Sequence, residues 1–225
     1  MKMNNTDRER TRSHLLKEIE GSVIKKLCGI MPRAVTPNHL TFIGFIGSLI
    51  SGLSLLAARE QRVFLFLAIL GLAVNWFGDS LDGRLAYFRN TPRKWFGFSL
   101  DVLVDWTSAI TVITGFYYYF GENGFAALTM LGGYGGAMIL ALLNYKISGN
   151  YSIDLVRFGP TEMRLLLAAF FVLEFIFPGT LLGAVYLAGG LLIVINFHKT
   201  GALLKAADRK DKAEKRYKTT AASLS

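Results

Sequence analysis

Six stretches of this chain, about residues 40–58, 63–81, 97–120, 124–145, 164–178 and 180–197, are apolar over most of their length. A helix needs about 17–25 such residues to cross a bilayer, so all but the short fifth stretch reach spanning length. Lipid leaves no water to satisfy a bare backbone, and segments this long therefore fold as helices. Hydrophobic residues make up 52% of the 225, and the mean hydropathy is +0.38. The expected fold class is an all-α integral membrane protein with six transmembrane helices. Its body covers residues 36–200, between a polar, amphipathic juxtamembrane segment at 1–35 and a basic tail at 201–225.

The net charge of +9 is informative through its distribution. Eight Lys and Arg precede the first span, four lie between spans two and three, three between four and five, and eight after the last. The opposite connections hold only Arg59 and Arg62. Positive residues are retained on the cytoplasmic side, which puts both termini there. Topology thus explains the charge, and no nucleic-acid partner is expected. Residues 1–22 are charged and polar where a cleavable signal would need an apolar core. The single cysteine, Cys28, has no internal partner and reads as a small packing residue.

Leu15, Leu16, Ile19, Val23, Ile24 and Leu27 recur at helical spacing within residues 7–31, against a basic face. A helix lying in the membrane interface has this pattern, and so does one packed on a partner subunit. Glycines crowd the first span (Gly44, Gly47, Gly52) and the fourth (Gly132, Gly133, Gly135, Gly136), where small residues let helices approach closely. The tail after Lys205 is expected to continue as helix and then fray.

Four aspartates break the apolar pattern within residues 78–105, "GDSLDGRLAYFRNTPRKWFGFSLDVLVD". Asp79 and Asp82 are three apart, Asp101 and Asp105 four apart; both spacings put the pair on one helix face. A loop over 83–96 returns the chain to the same membrane surface, so two helices can aim four acids at one point. Clustered carboxylates repel, and the cluster is relieved by protonation or by divalent cations. A purely oxygen donor set favours magnesium or manganese over zinc, and four carboxylates suit two such ions. Gly83 and Gly97, one beside each pair, leave room for a ligand near the backbone.

The stretch resembles the signature of the CDP-alcohol phosphatidyltransferase family, D-x-x-D-G-x-x-A-R followed after eight or nine residues by G-x-x-x-D-x-x-x-D. Asp79, Asp82, Gly83, Ala86, Gly97, Asp101 and Asp105 fall in place with nine intervening residues. "TPNHLT" at 36–41 is similar to the family's opening of the first span, and the likeness covers about residues 15–200. The resemblance implies a homodimeric enzyme of phospholipid synthesis. It would move a substituted phosphate from a CDP-linked donor, a CDP-diacylglycerol or CDP-alcohol, to an alcohol acceptor and release CMP. By position, Asp79, Asp82, Asp101 and Asp105 would hold two Mg2+ or Mn2+ ions. Asp105 would also be the catalytic base. Asn38, Thr41, Gly83, Ala86 and Gly97 would line the nucleotide pocket. Its active site would face the cytoplasm, in a prokaryote from the inner membrane. Tyr87 replaces the motif's arginine, and a phenol offers no cationic fork. Arg89 or Arg84 could compensate.

The acceptor stays open. Between spans four and five, Lys146, Arg157 and Arg164 could receive an acceptor phosphate. Asp154 and Glu162, with Tyr145 and Tyr151, could instead suit a cationic amino alcohol. An ordinary basic loop fits equally. Glu174, inside the fifth span, would have a partner or snorkel to water. His14, His39 and His198 are scattered, and only His39 lies beside a pocket motif. Three other readings compete: an intramembrane prenyltransferase, faintly echoed by Asn75-x-x-x-Asp79, a catalytically silent relative, and a divalent-cation carrier.

Overall fold

The computed structural model describes residues 17–149 and 159–223, and these are helical throughout apart from short connections. The helices are α1 (Lys17–Ile30), α2 (Pro37–Ala58), α3 (Phe64–Phe88), α4 (Lys94–Phe120), α5 (Phe125–Ser148), α6 (Pro160–Ile176) and α7 (Thr180–Ser223). Five of them, α2, α3, α4, α5 and α7, are long and apolar enough to cross a membrane. The sixth expected span corresponds to α6. Its 17 residues reach only about 26 Å at 1.5 Å per residue, short of a hydrocarbon core about 30 Å thick.

Two expectations are corrected. The loop between the aspartate pairs is residues 89–93, not 83–96, because α3 runs on to Phe88 and α4 begins at Lys94. The chain after Lys205 does not fray within the described residues: α7 stays helical to Ser223, as its Ala-, Lys- and Arg-rich sequence favours. Residues 7–16 of the expected N-terminal helix lie outside the described residues.

The first span starts where the sequence provides a cap. Thr36 accepts the His39 amide at 3.3 Å, His39 Nδ1 accepts the Thr36 amide at 3.3 Å, and Pro37 occupies the first turn. This employs His39 as a cap. From there α2 is the axis of the bundle, antiparallel to α3 and parallel to α4. Its glycines set the separation: a Cβ on Gly47 would lie 2.3 Å from the Asn75 amide nitrogen, and one on Gly78 of α3 would lie 2.3 Å from that of Gly44. Only glycine permits backbones this close. Across the bundle α5 and α7 run parallel, and Asn196 donates to the Gly133 carbonyl at 2.7 Å.

Apolar packing divides into two layers. Toward the 58/120 end, Leu55, Leu72, Ile113, Phe116, Phe171 and Leu181 form the larger core. Toward the other end, Ile24 and Cys28 of α1 pack on Leu40, Leu81 and Leu85. Burial pushes the Cys28 thiol above its ordinary pKa, which keeps it neutral and suits the packing role expected of it. Glu20 of α1 is buried too, accepting from Thr161 Oγ1 of α6 at 2.9 Å and from Ser80 Oγ of α3 at 3.5 Å. Between the layers lies a polar belt.

Candidate active site

The belt is built by periodicity. On α4, Asp101, Val104, Asp105 and Ser108 share one face; on α3, Asn75, Asp79 and Asp82 do; α2 adds Thr41 and Gly44. These nine residues line one cavity of about 10 Å³. Carboxylate oxygens of Asp79, Asp101 and Asp105 all lie within 4.8 Å of one another. Two neighbouring helices therefore do aim acids at one point.

Asp82 lines the same cavity but is turned aside. Its Oδ2 accepts from Thr41 Oγ1 at 2.6 Å, and its Oδ1 accepts from the Gly83 amide. Asp79 pairs with Arg164 of α6, whose Nη2 reaches Asp79 Oδ2 at 2.7 Å while its Nε donates to Asn75 Oδ1 at 2.8 Å. Asn75 in turn donates to the Gly44 carbonyl and to Ser48 Oγ, so the guanidinium is braced through α3 onto α2. Arg164 also lies in the field of Asp105. Its Nη1 is sealed from solvent with no hydrogen-bond partner among the described residues. Leaving a buried donor unmade costs about 1–3 kcal/mol.

The remaining expected residues sit around this centre. Gly83 and Gly97 have open space where a side chain would point. Ala86 is partly buried beside them, whereas Tyr87 is 67% exposed. Arg89 turns away from the cavity and donates to the carbonyls of Met31, Pro32 and Val35, fastening the connection before α2. The guanidinium that meets Asn38 is that of Arg93, which donates to Asn38 Oδ1 and lies over the Phe96 ring at 4.1 Å. Lys146 is exposed at the end of α5 and does not line the cavity. Arg157, Tyr151 and Asp154 lie outside the described residues. Glu162 is buried and caps α6 by accepting the Gly159 amide at 3.1 Å, and Tyr145 packs on Phe98.

Sequence reasoning named Asn75 only in a rival motif and passed over Ser108 and Arg93 as site residues. The first two were within its reach, since Asn75 is four before Asp79 and Ser108 three after Asp105, on the same helix faces. Arg93 was not, because a loop arginine carries no periodic signal.

The donor set suits hard divalent cations. It offers carboxylate, hydroxyl and amide oxygens, with no histidine or cysteine in the lining. An all-helical chain with membrane-spanning helices thus gathers three carboxylates that could hold a divalent cation. The chain belongs to the CDP-alcohol phosphatidyltransferase family, whose model matches residues 34–196. It is thus a transferase of phosphate-containing groups that works in phospholipid synthesis. No curated protein matches the chain.

Proposed function

We propose that the protein transfers a substituted phosphate from a CDP-linked donor to an alcohol, releasing CMP. The convergence of Asp79, Asp101 and Asp105 within the signature spacing carries this reading. Those three aspartates with Asp82 would hold two Mg2+ or Mn2+ ions, which when bound neutralise the diphosphate and the departing CMP. Asp105 takes the proton of the acceptor hydroxyl. As that oxygen bonds to phosphorus, the bond to the CMP oxygen breaks on the opposite side.

Thr41 holds Asp82 in place, and Gly83, Ala86 and Gly97 leave the backbone open to the nucleotide. Tyr87 stacks or hydrogen-bonds there. Arg93, already at Asn38, supplies the cationic fork for which Arg89 is not placed. Arg164 receives the acceptor: one nitrogen pair is fixed to Asp79 and Asn75, and Nη1 is left for an acceptor oxygen. Lys146 and Arg157 add positive charge for an acceptor phosphate.

The body at 36–200 sits in the membrane with the pocket and both termini on the cytoplasmic side, the inner membrane in a prokaryote. The distribution of Lys and Arg supports this. α6 crosses as the sixth span, its shortness met by local thinning of the bilayer. α1 lies at the interface, with exposed Lys25 and Lys26 toward anionic lipid. The protein acts as a homodimer, as its family membership suggests.

The test is a screen of donor and acceptor pairs for CMP release by the full-length protein in detergent. Release should require Mg2+ or Mn2+ and stop with EDTA. Failure with every CDP-linked donor would leave the catalytically silent reading in its place.

A further inference from the structure

Hydroxyls along these helices usually satisfy themselves. Ser48 bonds to the Gly44 carbonyl, Ser54 to Ile50, Thr111 to Thr107 and Thr200 to Asn196, each one turn back. Ser108 does not. It is 9% exposed, and its Oγ is sealed from solvent without a hydrogen-bond partner among the described residues. A desolvated hydroxyl with no partner is unfavourable, and each such group calls for a reason. Ser51 Oγ shares that condition, so burial alone distinguishes nothing. The difference is placement, because Ser108 lines the aspartate cavity and Ser51 does not.

The cavity holds about one oxygen-sized sphere, bounded by four carboxylates above and by Gly44, Asn75 and Ser108 below. Asn75 is committed on both sides of its amide, to Gly44 and Ser48 through nitrogen and to Arg164 through oxygen. Ser108 is therefore the uncommitted polar group on that floor. Mg2+ and Mn2+ ask for about six oxygens, more than three carboxylates giving one oxygen each provide. A hydroxyl completes the shell without adding to the negative charge already gathered there.

We infer that Ser108 Oγ is a further oxygen donor to the divalent cation held by Asp79, Asp101 and Asp105, closing that site from below. The inference rests on the divalent-cation reading above. It is tested on full-length protein in detergent by titrating Mn2+ and following the free-ion electron paramagnetic resonance signal. Wild type is compared with Ser108→Ala, and Ser108→Cys is made on a Cys28→Ala background with that background as its own control. Ser108→Ala should bind Mn2+ about tenfold more weakly. In EDTA it should melt no lower than wild type, because alanine removes an unpaired hydroxyl. Ser108→Cys should weaken Mn2+ but tighten Cd2+ relative to its background, since a sulfur ligand prefers the softer ion. Wild-type Mn2+ affinity in Ser108→Ala, or no gain in Cd2+ affinity in Ser108→Cys, overturns the inference and leaves the aspartate site standing. No Mn2+ binding by wild type would instead remove the cation reading itself.

Discussion

One carboxylate is buried at one end of this bundle and three half-buried ones meet toward the other, and the two ends treat them in opposite ways. Glu174 of α6 is 4% exposed, yet its oxygens accept from Tyr119 Oη at 2.9 Å, the Gly179 amide at 3.0 Å, Thr180 Oγ1 at 3.3 Å and the Leu181 amide at 2.7 Å. It caps the first turn of α7, where amide hydrogens and the helix dipole both favour an anion. That partner, rather than a snorkelled path to water, accounts for an acid in the fifth apolar stretch. At the other end, Asp79, Asp101 and Asp105 face one another across a small cavity. Donors surround the first carboxylate, whereas the others face one another, with the Arg164 guanidinium paired to Asp79 among them. What an acid does at membrane depth follows from what encircles it, not from its depth.

The sharpest break between the ends should come from removing one charge at the aspartates. Asp105→Asn is expected to lower CMP release by about 10³-fold, the scale of a lost general base. Its unfolding midpoint in EDTA should rise by ~2–4 °C as repulsion is relieved, the usual exchange of stability for function. A variant that keeps full activity would remove Asp105 from the base role. Gly78→Ala comes next. Its new methyl would meet the Gly44 backbone, forcing α2 from α3 and shifting Thr41 and Asp82 relative to Asp79. Overpacking of this kind costs about 1–3 kcal/mol, and displacement of the site by about an ångström lowers turnover on the order of 10²-fold. Wild-type CMP release by this variant would show that the close approach does not set the site.

What the sequence disclosed divides along similar lines. The aspartate pairs were legible because three- and four-residue spacings on a helix fix a shared face whatever else the chain does. Both Asp79 and the Asp101–Asp105 pair were placed by that rule. The side chains that engage them from afar were not: Arg164 reaches Asp79 from 85 residues away, and Thr41 reaches Asp82 across 41. Nothing local encodes such pairings. Arg89 misled for a related reason, since its position two residues past Tyr87 suggested the nucleotide, while the fold fastens it to the carbonyls before α2. Glu174 resisted reading because its donors depend on a turn in which Gly179 takes φ +96°, a conformation read from coordinates and not from residue type. The six-span expectation stands or falls with the 17 residues of α6, where length alone does not decide between crossing and stopping short.

Thr41→Val tests the neighbourhood without touching a charge. It deletes the 2.6 Å bond to Asp82 while keeping volume, and turnover should fall by about tenfold, one charged hydrogen bond's worth. An unchanged rate would mean that Asp82 is held by the Gly83 amide alone. Glu174→Gln should have the smallest effect on turnover, and it closes the comparison. The amide keeps the shape of the carboxylate but presents an NH2 group toward donors, turning at least one bond with the Gly179, Thr180 and Leu181 group into a clash of hydrogens. Loss of charge-assisted bonds of this kind costs about 1.5–3 kcal/mol each, and at ~2–4 °C per kcal/mol the midpoint should drop by several degrees. CMP release per folded molecule should stay within about twofold of wild type, because Glu174 caps α7 far along the bundle from the aspartates and distant sites act additively. A matched fall in turnover at temperatures where the variant is fully folded would mean that the two ends are coupled through α6, which carries both Glu174 and Arg164.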